Sequence, residues 1–109
     1  MRKLIVMALV VGCLGVLASV AMAATKSVKV GDNYYVRPSG VPKITVSKGT
    51  RVKWRFTTGT PHTVTVKSGP ARFKSCSSSC TRTPRKRGTY VIYCTIHGFS
   101  DQRMKLVVK

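Results

Sequence analysis

The stretch Val52-Lys53-Trp54-Arg55-Phe56 decides the fold class, because apolar and basic side chains alternate along it. Successive side chains of an extended strand point to opposite faces, so this segment would bury one face and expose the other. The same period of two, with no sustained helical period, recurs at Val28–Val30, Ile44–Val46, His62–Val66 and Met104–Val108. We therefore predict a half-buried β-strand in each of these segments.

Turn signals separate the predicted strands. They include Gly31-Asp32-Asn33, Pro38-Ser39-Gly40 and Thr58-Gly59-Thr60-Pro61, which are rich in the residues that favour turns. Short strands at regular spacing between such turns are typical of an antiparallel sandwich or barrel. We predict an all-β domain.

The N-terminal segment has the pattern of a secretory signal peptide. A positive Met1-Arg2-Lys3 precedes an apolar run over Leu4–Val20, and Ala21-Met22-Ala23 supplies small residues for a signal peptidase. We predict that residues 1–23 are a cleaved signal peptide, that residues 24–109 form one domain, and that the protein is periplasmic or secreted.

Two other outcomes for this segment stay open. The apolar run could be retained as a membrane anchor, although it is short and contains Gly12 and Gly15. Val10-Val11-Gly12-Cys13 also resembles a lipoprotein box, which would place a lipid on Cys13, but the residues after it are apolar where a polar tether is usual.

The chain is strongly cationic, with 20 Lys and Arg against 2 Asp and Glu and a formal net charge of +18. Since Arg2 and Lys3 leave with the signal peptide, the mature chain would carry +16. Such a field favours anionic partners. We expect an acidic redox protein, such as a cytochrome or oxidase, or an anionic membrane surface. Nucleic acid is less favoured, because the aromatic residues show no stacking pattern beyond what a core needs.

The scarcity of carboxylates excludes most hydrolytic chemistry. Asp32 and Asp101 are the acidic residues of the whole chain, and no glycine-rich loop of the phosphate-binding kind is present in the sequence. We predict that the protein is not an enzyme, and we expect a monomer.

Three cysteines remain after removal of Cys13, and three cannot all pair within one chain. Cys76 and Cys80 are close enough in sequence to form a local disulfide in an oxidising compartment. A separate metal site or a redox-active dithiol are the alternatives for this pair. Either way Cys94 is left as an odd thiol that needs an explanation.

Both histidines of the chain can be related to Cys94. His97 follows it by three residues, and His62 lies in Pro61-His62-Thr63-Val64. A soft thiolate with two imidazoles suits copper, and this trigonal set with a weak axial donor makes an electron-transfer site. Zinc is the competitor, but it usually takes four strong ligands in a structural site. The sequence therefore predicts one copper ion.

The chain resembles the cupredoxin family, in particular the plastocyanin-like and pseudoazurin-like small blue copper proteins. The resemblance covers the whole predicted mature chain and is carried, in order, by Ile44–Trp54, by Pro61–Val64 and by the segment Gly88-Thr-Tyr-Val-Ile-Tyr-Cys-Thr-Ile-His97. It implies a Greek-key β-sandwich in which His62, Cys94 and His97 hold a type 1 copper at one end. It also implies single-electron transfer, with His97 nearest the surface as the exit route and Phe99 either beside it or in the core.

The axial ligand is where the sequence departs from the family's usual methionine. The spacing C-x-x-H-x-x-x-x-M puts Gln102 at that position, and strand parity gives Gln102, Met104 and Leu106 one face. We predict Gln102 as the axial ligand, as in stellacyanin-like relatives, with Met104 as the alternative. Two other functions stay open: a copper carrier or storage protein without electron transfer, and a cationic, metal-free binding module.

Overall fold

The computed structural model describes residues 24–109 of the chain. The predicted signal peptide, residues 1–23, and the predicted lipidation at Cys13 lie outside the described residues. Within residues 24–109 no helix has the length and apolar character needed to cross a membrane.

Residues 24–109 form eight strands, which make up two four-stranded sheets. The first sheet has the order β2-β1-β4-β6 and the second the order β3-β8-β7-β5. The bounds are β1 Thr25–Gly31, β2 Tyr34–Tyr35, β3 Lys43–Val46, β4 Arg51–Phe56, β5 Thr65–Ser68, β6 Cys80–Arg82, β7 Gly88–Tyr93 and β8 Arg103–Val108. The predicted all-β sandwich is confirmed.

The core lies between the two sheets and is filled by the apolar half of each alternating strand. In β4 the side chains of Val52 and Trp54 are fully buried, whereas Arg51, Lys53 and Arg55 are exposed. Met104, Leu106 and Val108 of β8 face them from the second sheet and are equally buried. Each such side chain stabilises the fold by roughly 1.5–3 kcal/mol.

Each sheet contains one parallel pair of strands, which differs from the predicted antiparallel arrangement. β1 pairs with β4 from Thr25↔Arg51 to Val30↔Phe56, and β3 pairs with β8 from Lys43↔Lys105 to Val46↔Val108. Both pairs join strands that are distant in sequence, and the chain crosses between the sheets on the way. The alternation pattern gives the buried face of a strand but not its direction, so it could not predict these pairs.

The predicted strand at His62–Val66 begins later than expected. Strand β5 starts at Thr65, while Val64 makes an isolated bridge to Cys76. His62 itself lies in the connection between β4 and β5, where its ring contacts polar side chains instead of following a strand. The prediction was wrong for the first part of this segment.

The predicted disulfide between Cys76 and Cys80 is present, and it lies in the long connection between β5 and β6. Cys76 exchanges two backbone hydrogen bonds with Val64, of 2.9 and 3.1 Å, and Cys80 pairs with Trp54 across β6 and β4. The amide of Phe56 donates to Ser79 Oγ at 2.9 Å. This short loop therefore holds both ends of the connection that carries His62.

Candidate metal centre

The three predicted strong ligands meet at one end of the sandwich, which we call the site end. It is the end at which β1, β4 and β7 finish and from which β8 starts. His62 comes from the connection after β4, whereas Cys94 and His97 come from the loop between β7 and β8. Their donor atoms, one from each residue, all lie within 4.8 Å of one another.

Cys94 directly follows β7, and its side chain is completely buried. The Thr63 amide donates to its sulfur at 3.4 Å, and Nδ1 of His97 lies 3.4 Å from the same atom. Burial acts to raise the pKa of this thiol, but hydrogen bonds from His97, Thr63 and Ile96 outweigh it and lower the pKa to about 6. The surroundings therefore favour a thiolate, the form that binds soft metals.

The His62 ring is buried, and its two nitrogens face different partners. Nε2 lies 3.2 Å from Asp32 Oδ1 and 3.2 Å from Thr58 Oγ1, while Nδ1 lies 3.1 Å from Gln102 Oε1. A carboxylate accepts hydrogen bonds and cannot donate them, so it places the ring proton on Nε2 of neutral His62. The lone pair of Nδ1 is then free and points into the cluster.

His97 closes the cluster from the solvent side and is half-buried. Its ring centroid is 4.9 Å from that of His62. Gly98, the next residue, has a φ of +90°, in the left-handed region that favours glycine. The Gly98 amide donates to the Cys94 carbonyl at 2.9 Å, which closes a turn that brings His97 back toward Cys94, and the positive φ then redirects the chain after Gly98.

Gln102 is a fourth candidate donor, beside His62 of this cluster. Its side chain is fully buried, and Nε2 donates to the carbonyls of Gly31 at 3.1 Å and Tyr34 at 2.9 Å. These two bonds fix the orientation of the amide, because only its nitrogen can donate to a carbonyl. Oε1 therefore faces His62 Nδ1 with its lone pairs.

Met104, the alternative axial residue, is buried in β8 opposite Ile92 of β7. It belongs to the apolar core that includes Leu106 and Val108. Gln102 and Met104 are thus both buried on the inner face, as strand parity predicts. Of these two candidates, Gln102 is the one with a described hydrogen bond to His62.

The donor set fits a thiophilic ion that also accepts imidazole. A thiolate and two imidazoles suit copper, and an amide oxygen is a weak fourth donor. Two lone pairs, on His62 Nδ1 and Gln102 Oε1, face each other at 3.1 Å. Such an arrangement is electrostatically unfavourable unless a proton or a cation lies near both atoms. The site therefore has the chemistry to hold a copper ion.

Asp32 is a further candidate functional residue, one that residue type and spacing in the sequence do not indicate. Its side chain is largely exposed, but Oδ1 accepts a hydrogen bond from His62 Nε2 at 3.2 Å. Hydrogen bonds from Thr58 and Thr60, and then the contact with His62, hold the pKa of this carboxyl below its usual value. One signal was present: Asp32 is one of two acidic side chains in a chain with 20 basic residues, and it lies in the predicted turn after the strand at Val28–Val30.

A bridge of threonine hydroxyls joins the two ligand-bearing segments. Thr63 Oγ1 accepts from the Thr95 amide at 2.8 Å, and it also lies 3.1 Å from Thr95 Oγ1. Thr65 donates to the same oxygen at 3.2 Å. Thr63 follows His62 and Thr95 follows Cys94, so the bridge fixes the distance between these two candidate ligands.

Aromatic and basic side chains surround the exposed side of His97. Phe99 packs edge-on against Tyr93, with ring centroids 6.4 Å apart. Lys67 Nζ lies 4.9 Å from the centre of the Phe99 ring, and the Arg103 guanidinium 4.6 Å from it. Ile96, with 57% exposure, adds an apolar side chain. Phe99 is therefore half-buried beside the site instead of in the core.

Comparison with known protein folds identifies structures of amicyanin. An oxidised methionine-to-lysine mutant of amicyanin has a TM-score of 0.62 and 27% sequence identity, over 84% of this chain and 88% of that chain. Amicyanin from Paracoccus versutus has a TM-score of 0.62 and 25% identity over the same shares. A Cu(I) form of a methionine-to-glutamine mutant has a TM-score of 0.63 and 25% identity, over 84% and 89%. Sequence comparison gives no matching family model and no matching curated protein.

Proposed function

The chain is a member of the cupredoxin family of small blue copper proteins, and from this premise we propose that it carries single electrons by means of one type 1 copper ion. The observation that carries the proposal is the preformed cluster of one cysteine and two histidines, with donor atoms within 4.8 Å of one another. The cluster joins two segments that are distant in sequence: Thr63 and Thr95, which link them by a hydrogen bond, are 32 residues apart. A chance contact between surface residues would not be buried and hydrogen-bonded in this way.

We assign the ligands as His62 Nδ1, Cys94 Sγ and His97 Nδ1, with Gln102 Oε1 as the axial donor. When bound, copper supplies a one-electron couple between Cu(I) and Cu(II). The two oxidation states prefer different geometries, so a protein that holds its ligands rigidly limits the rearrangement between them. Here the threonine bridge, the Asp32–His62 pair and the two bonds from the Gln102 amide supply that rigidity.

His97 is the ligand through which we expect electrons to pass. It is the half-buried member of the cluster, whereas His62 and Cys94 are shielded from solvent. The surface around it combines Ile96 and Phe99 with the cations Lys67 and Arg103. Apolar centres with basic surroundings suit transient contact with an acidic redox protein, such as a cytochrome or an oxidase.

The remaining parts of the proposal follow from the sequence. We propose that residues 1–23 direct export and are removed, that the protein acts in the periplasm or as a secreted protein, and that it is a monomeric carrier instead of an enzyme. With few carboxylates and two histidines that are both committed to the cluster, the chain offers little for acid–base catalysis.

The experiment is a titration of the exported, metal-free protein with Cu(II), followed by absorption spectroscopy and voltammetry. We expect an intense blue thiolate-to-copper band at one equivalent and a reversible one-electron wave. Cys94→Ser should remove the band while the domain stays folded, because it removes the thiolate but little volume. Met104→Leu, at a buried position of similar size, is the matched control and should keep the band.

Other outcomes would favour the alternatives. Tight copper binding with weak colour and no reversible wave would indicate a carrier or storage protein. A chain that stays folded and binds no copper would be a metal-free module. An intense band that survives Cys94→Ser would show that the ligand assignment is wrong.

A further inference from the structure

Six exposed basic side chains lie together at the end of the sandwich opposite the site. We call this group the far-end surface, and its members are Lys48, Arg51, Arg85, Lys86, Arg87 and Lys109. Backbone hydrogen bonds place the turn before β4, the loop before β7 and the residue after β8 side by side: Lys48 N donates to the Lys109 carbonyl at 2.8 Å, and Gly49 N to the Pro84 carbonyl at 3.4 Å. These charges therefore form one surface instead of separate sites.

The two ends of the molecule differ in the sign of their side chains. Asp32 and Asp101 are the acidic residues of the chain, and both belong to the site end, where Asp32 contacts His62 and Asp101 follows Gly98 in the loop before β8. The site end thus carries both signs, whereas the far-end surface carries positive side chains alone. Six-residue strands such as β4 separate the two ends by about 20 Å, which is about two Debye lengths at 0.1 M salt.

The Arg85–Arg87 segment is held on a fixed backbone. Pro84 is buried, and the Tyr90 hydroxyl donates to the Lys86 carbonyl at 2.8 Å from a fully buried ring. The basic side chains are therefore presented from a defined position, and their removal need not disturb the fold, because the supporting bonds are made by backbone atoms.

An amphiphilic cavity of about 250 Å³ adjoins this segment. Phe73, Pro84 and Tyr90 contribute apolar lining, and Arg72, Arg85 and Lys86 contribute charge. Such a lining suits the boundary of a lipid layer, where anionic headgroups lie beside apolar chains. A purely polar polyanion would gain little from it.

The distribution of exposed apolar side chains argues against a protein partner at the far end. Within residues 24–109 the large apolar side chains with substantial exposure are Val41 and Ile96, and neither belongs to the far-end surface. The apolar lining of the cavity is recessed, since Pro84 and Tyr90 are buried, so it offers no projecting anchor. Specific protein interfaces need apolar or aromatic side chains that become buried in the partner. Attraction to an anionic membrane is diffuse and needs only several basic side chains near the membrane surface.

The chain also enters the described structure at this end. The Arg51 amide donates to the carbonyl of Ala24 at 2.9 Å, and the apolar run Leu4–Val20 of the sequence lies just upstream of Ala24. The predicted export segment therefore joins the domain at the far end. Charge, lining and chain continuity all favour the same occupant.

We propose that the far-end surface binds an anionic lipid bilayer, so that the protein rests on the membrane with its site end directed to the aqueous phase. This orientation leaves His97 free for a redox partner. The binding goes beyond the proposed electron transfer and does not require the metal.

The test is binding of the exported protein to vesicles of phosphatidylglycerol and phosphatidylcholine in equimolar amounts, measured by co-sedimentation at about 0.1 M salt. The combined variant Arg85→Gln, Lys86→Gln and Arg87→Gln should lower the partition coefficient on the order of 100-fold, since each basic side chain near an anionic surface contributes roughly fivefold. The matched control, Arg37→Gln, Lys43→Gln and Lys105→Gln, loses the same charge away from the far end and should lower it less than about threefold.

Orientation is read by hydrogen exchange with and without vesicles, in copper-free protein. The amides of the loops over 47–50 and 84–87 should gain protection, and those over 57–62 and 97–101 should not. The proposal would be overturned by any of four results. These are an equal loss of vesicle binding in the two triple variants, protection at the site end, no binding to these vesicles, and binding to polyphosphate alone. Binding by the copper-free protein that follows the expected pattern would support it even if the copper titration failed.

Discussion

His62 has ring nitrogens that serve two different neighbours, and Asp32 decides which nitrogen carries the proton. The carboxylate accepts from Nε2 at 3.2 Å, so Nδ1 keeps a free lone pair toward Cys94 and Gln102. A carboxylate on the far side of a ligating imidazole also makes that imidazole a stronger donor. Asp32 is thus a positioning residue for the proposed ligand.

Asp32→Asn tests this role. An amide can hold the ring but carries no charge, so we expect about tenfold weaker Cu(II) binding and a higher reduction potential, because a less basic imidazole stabilises Cu(II) less. Asp101→Asn is the matched control, since it removes the other carboxylate of the same end. Competition titration and voltammetry give the two readouts. Identical shifts in both variants would mean that only overall charge matters.

Gln102 and Met104 can be separated by a pair of variants. An amide oxygen is a harder donor than a thioether and stabilises Cu(II), so Gln102→Met should raise the reduction potential, whereas Met104→Leu should leave the spectrum and the potential nearly unchanged. Gln102→Met also leaves the Gly31 and Tyr34 carbonyls without their donor and should cost about 1–3 kcal/mol of unfolding free energy. If Met104→Leu changed spectrum and potential and Gln102→Met changed neither, Met104 would be the axial ligand.

For single residues, the sequence predicts those candidate ligands that residue type and spacing reveal. Cys94 and His97 are three residues apart, and copper chemistry relates them to His62 without knowledge of the fold. Asp32 could not be found in this way, because its contact with His62 spans 30 residues and depends on how the turn after β1 lies beside the connection after β4.

The alternation of apolar and polar residues predicts some of the strands and fails for others. It predicts β1, β3, β4 and β8, where buried and exposed residues alternate along the observed strand. β2 and β6 have two and three residues and are too short to show a period. At His62 the apparent alternation was misleading, because the ring is buried by polar contacts with Asp32, Thr58 and Gln102 instead of by a sheet.

The disulfide loop lends itself to a stability experiment. Replacing both Cys76 and Cys80 by serine should lower the unfolding free energy by at most about 2 kcal/mol, because the closed loop is short and restricts the unfolded chain little. Denaturant titration measures the change. The unfolding free energy of this double variant should be the same in reducing and oxidising buffer, whereas that of the natural protein should be lower in reducing buffer. A natural protein with the same unfolding free energy in both buffers would contradict the prediction.

Within the same loop, Ser79 should contribute more to the free energy of unfolding than Ser77. Ser79→Ala leaves the Phe56 amide without its acceptor and should cost about 1 kcal/mol. Ser77 is exposed and has no partner among the described hydrogen bonds, so Ser77→Ala should stay within about 0.5 kcal/mol. Equal costs would show that the Ser79 bond does not anchor the strand.

The molecule as a whole is a cation, and this charge should govern its encounter with the proposed redox partner. Reduction by an acidic cytochrome should slow as salt rises, and reduction by a basic one should be slow throughout, because attraction between unlike charges is screened by ions. Stopped-flow rates across ionic strength provide the measurement. Lys67→Gln, beside Phe99, should slow the acidic partner more than Lys53→Gln on the outer face of β4. A preference for the basic partner would refute the prediction.

Ala24 and Lys109 are both hydrogen-bonded to the short segment Lys48–Arg51, so the first and last described residues are neighbours. Any polypeptide joined to either of them leaves the domain about 20 Å from Cys94 and His97. The domain can therefore be fused to an enzyme, attached to an electrode or inserted into a loop of a host protein without a change in the proposed ligands. Such closeness of chain ends is what domain insertion and circular permutation require.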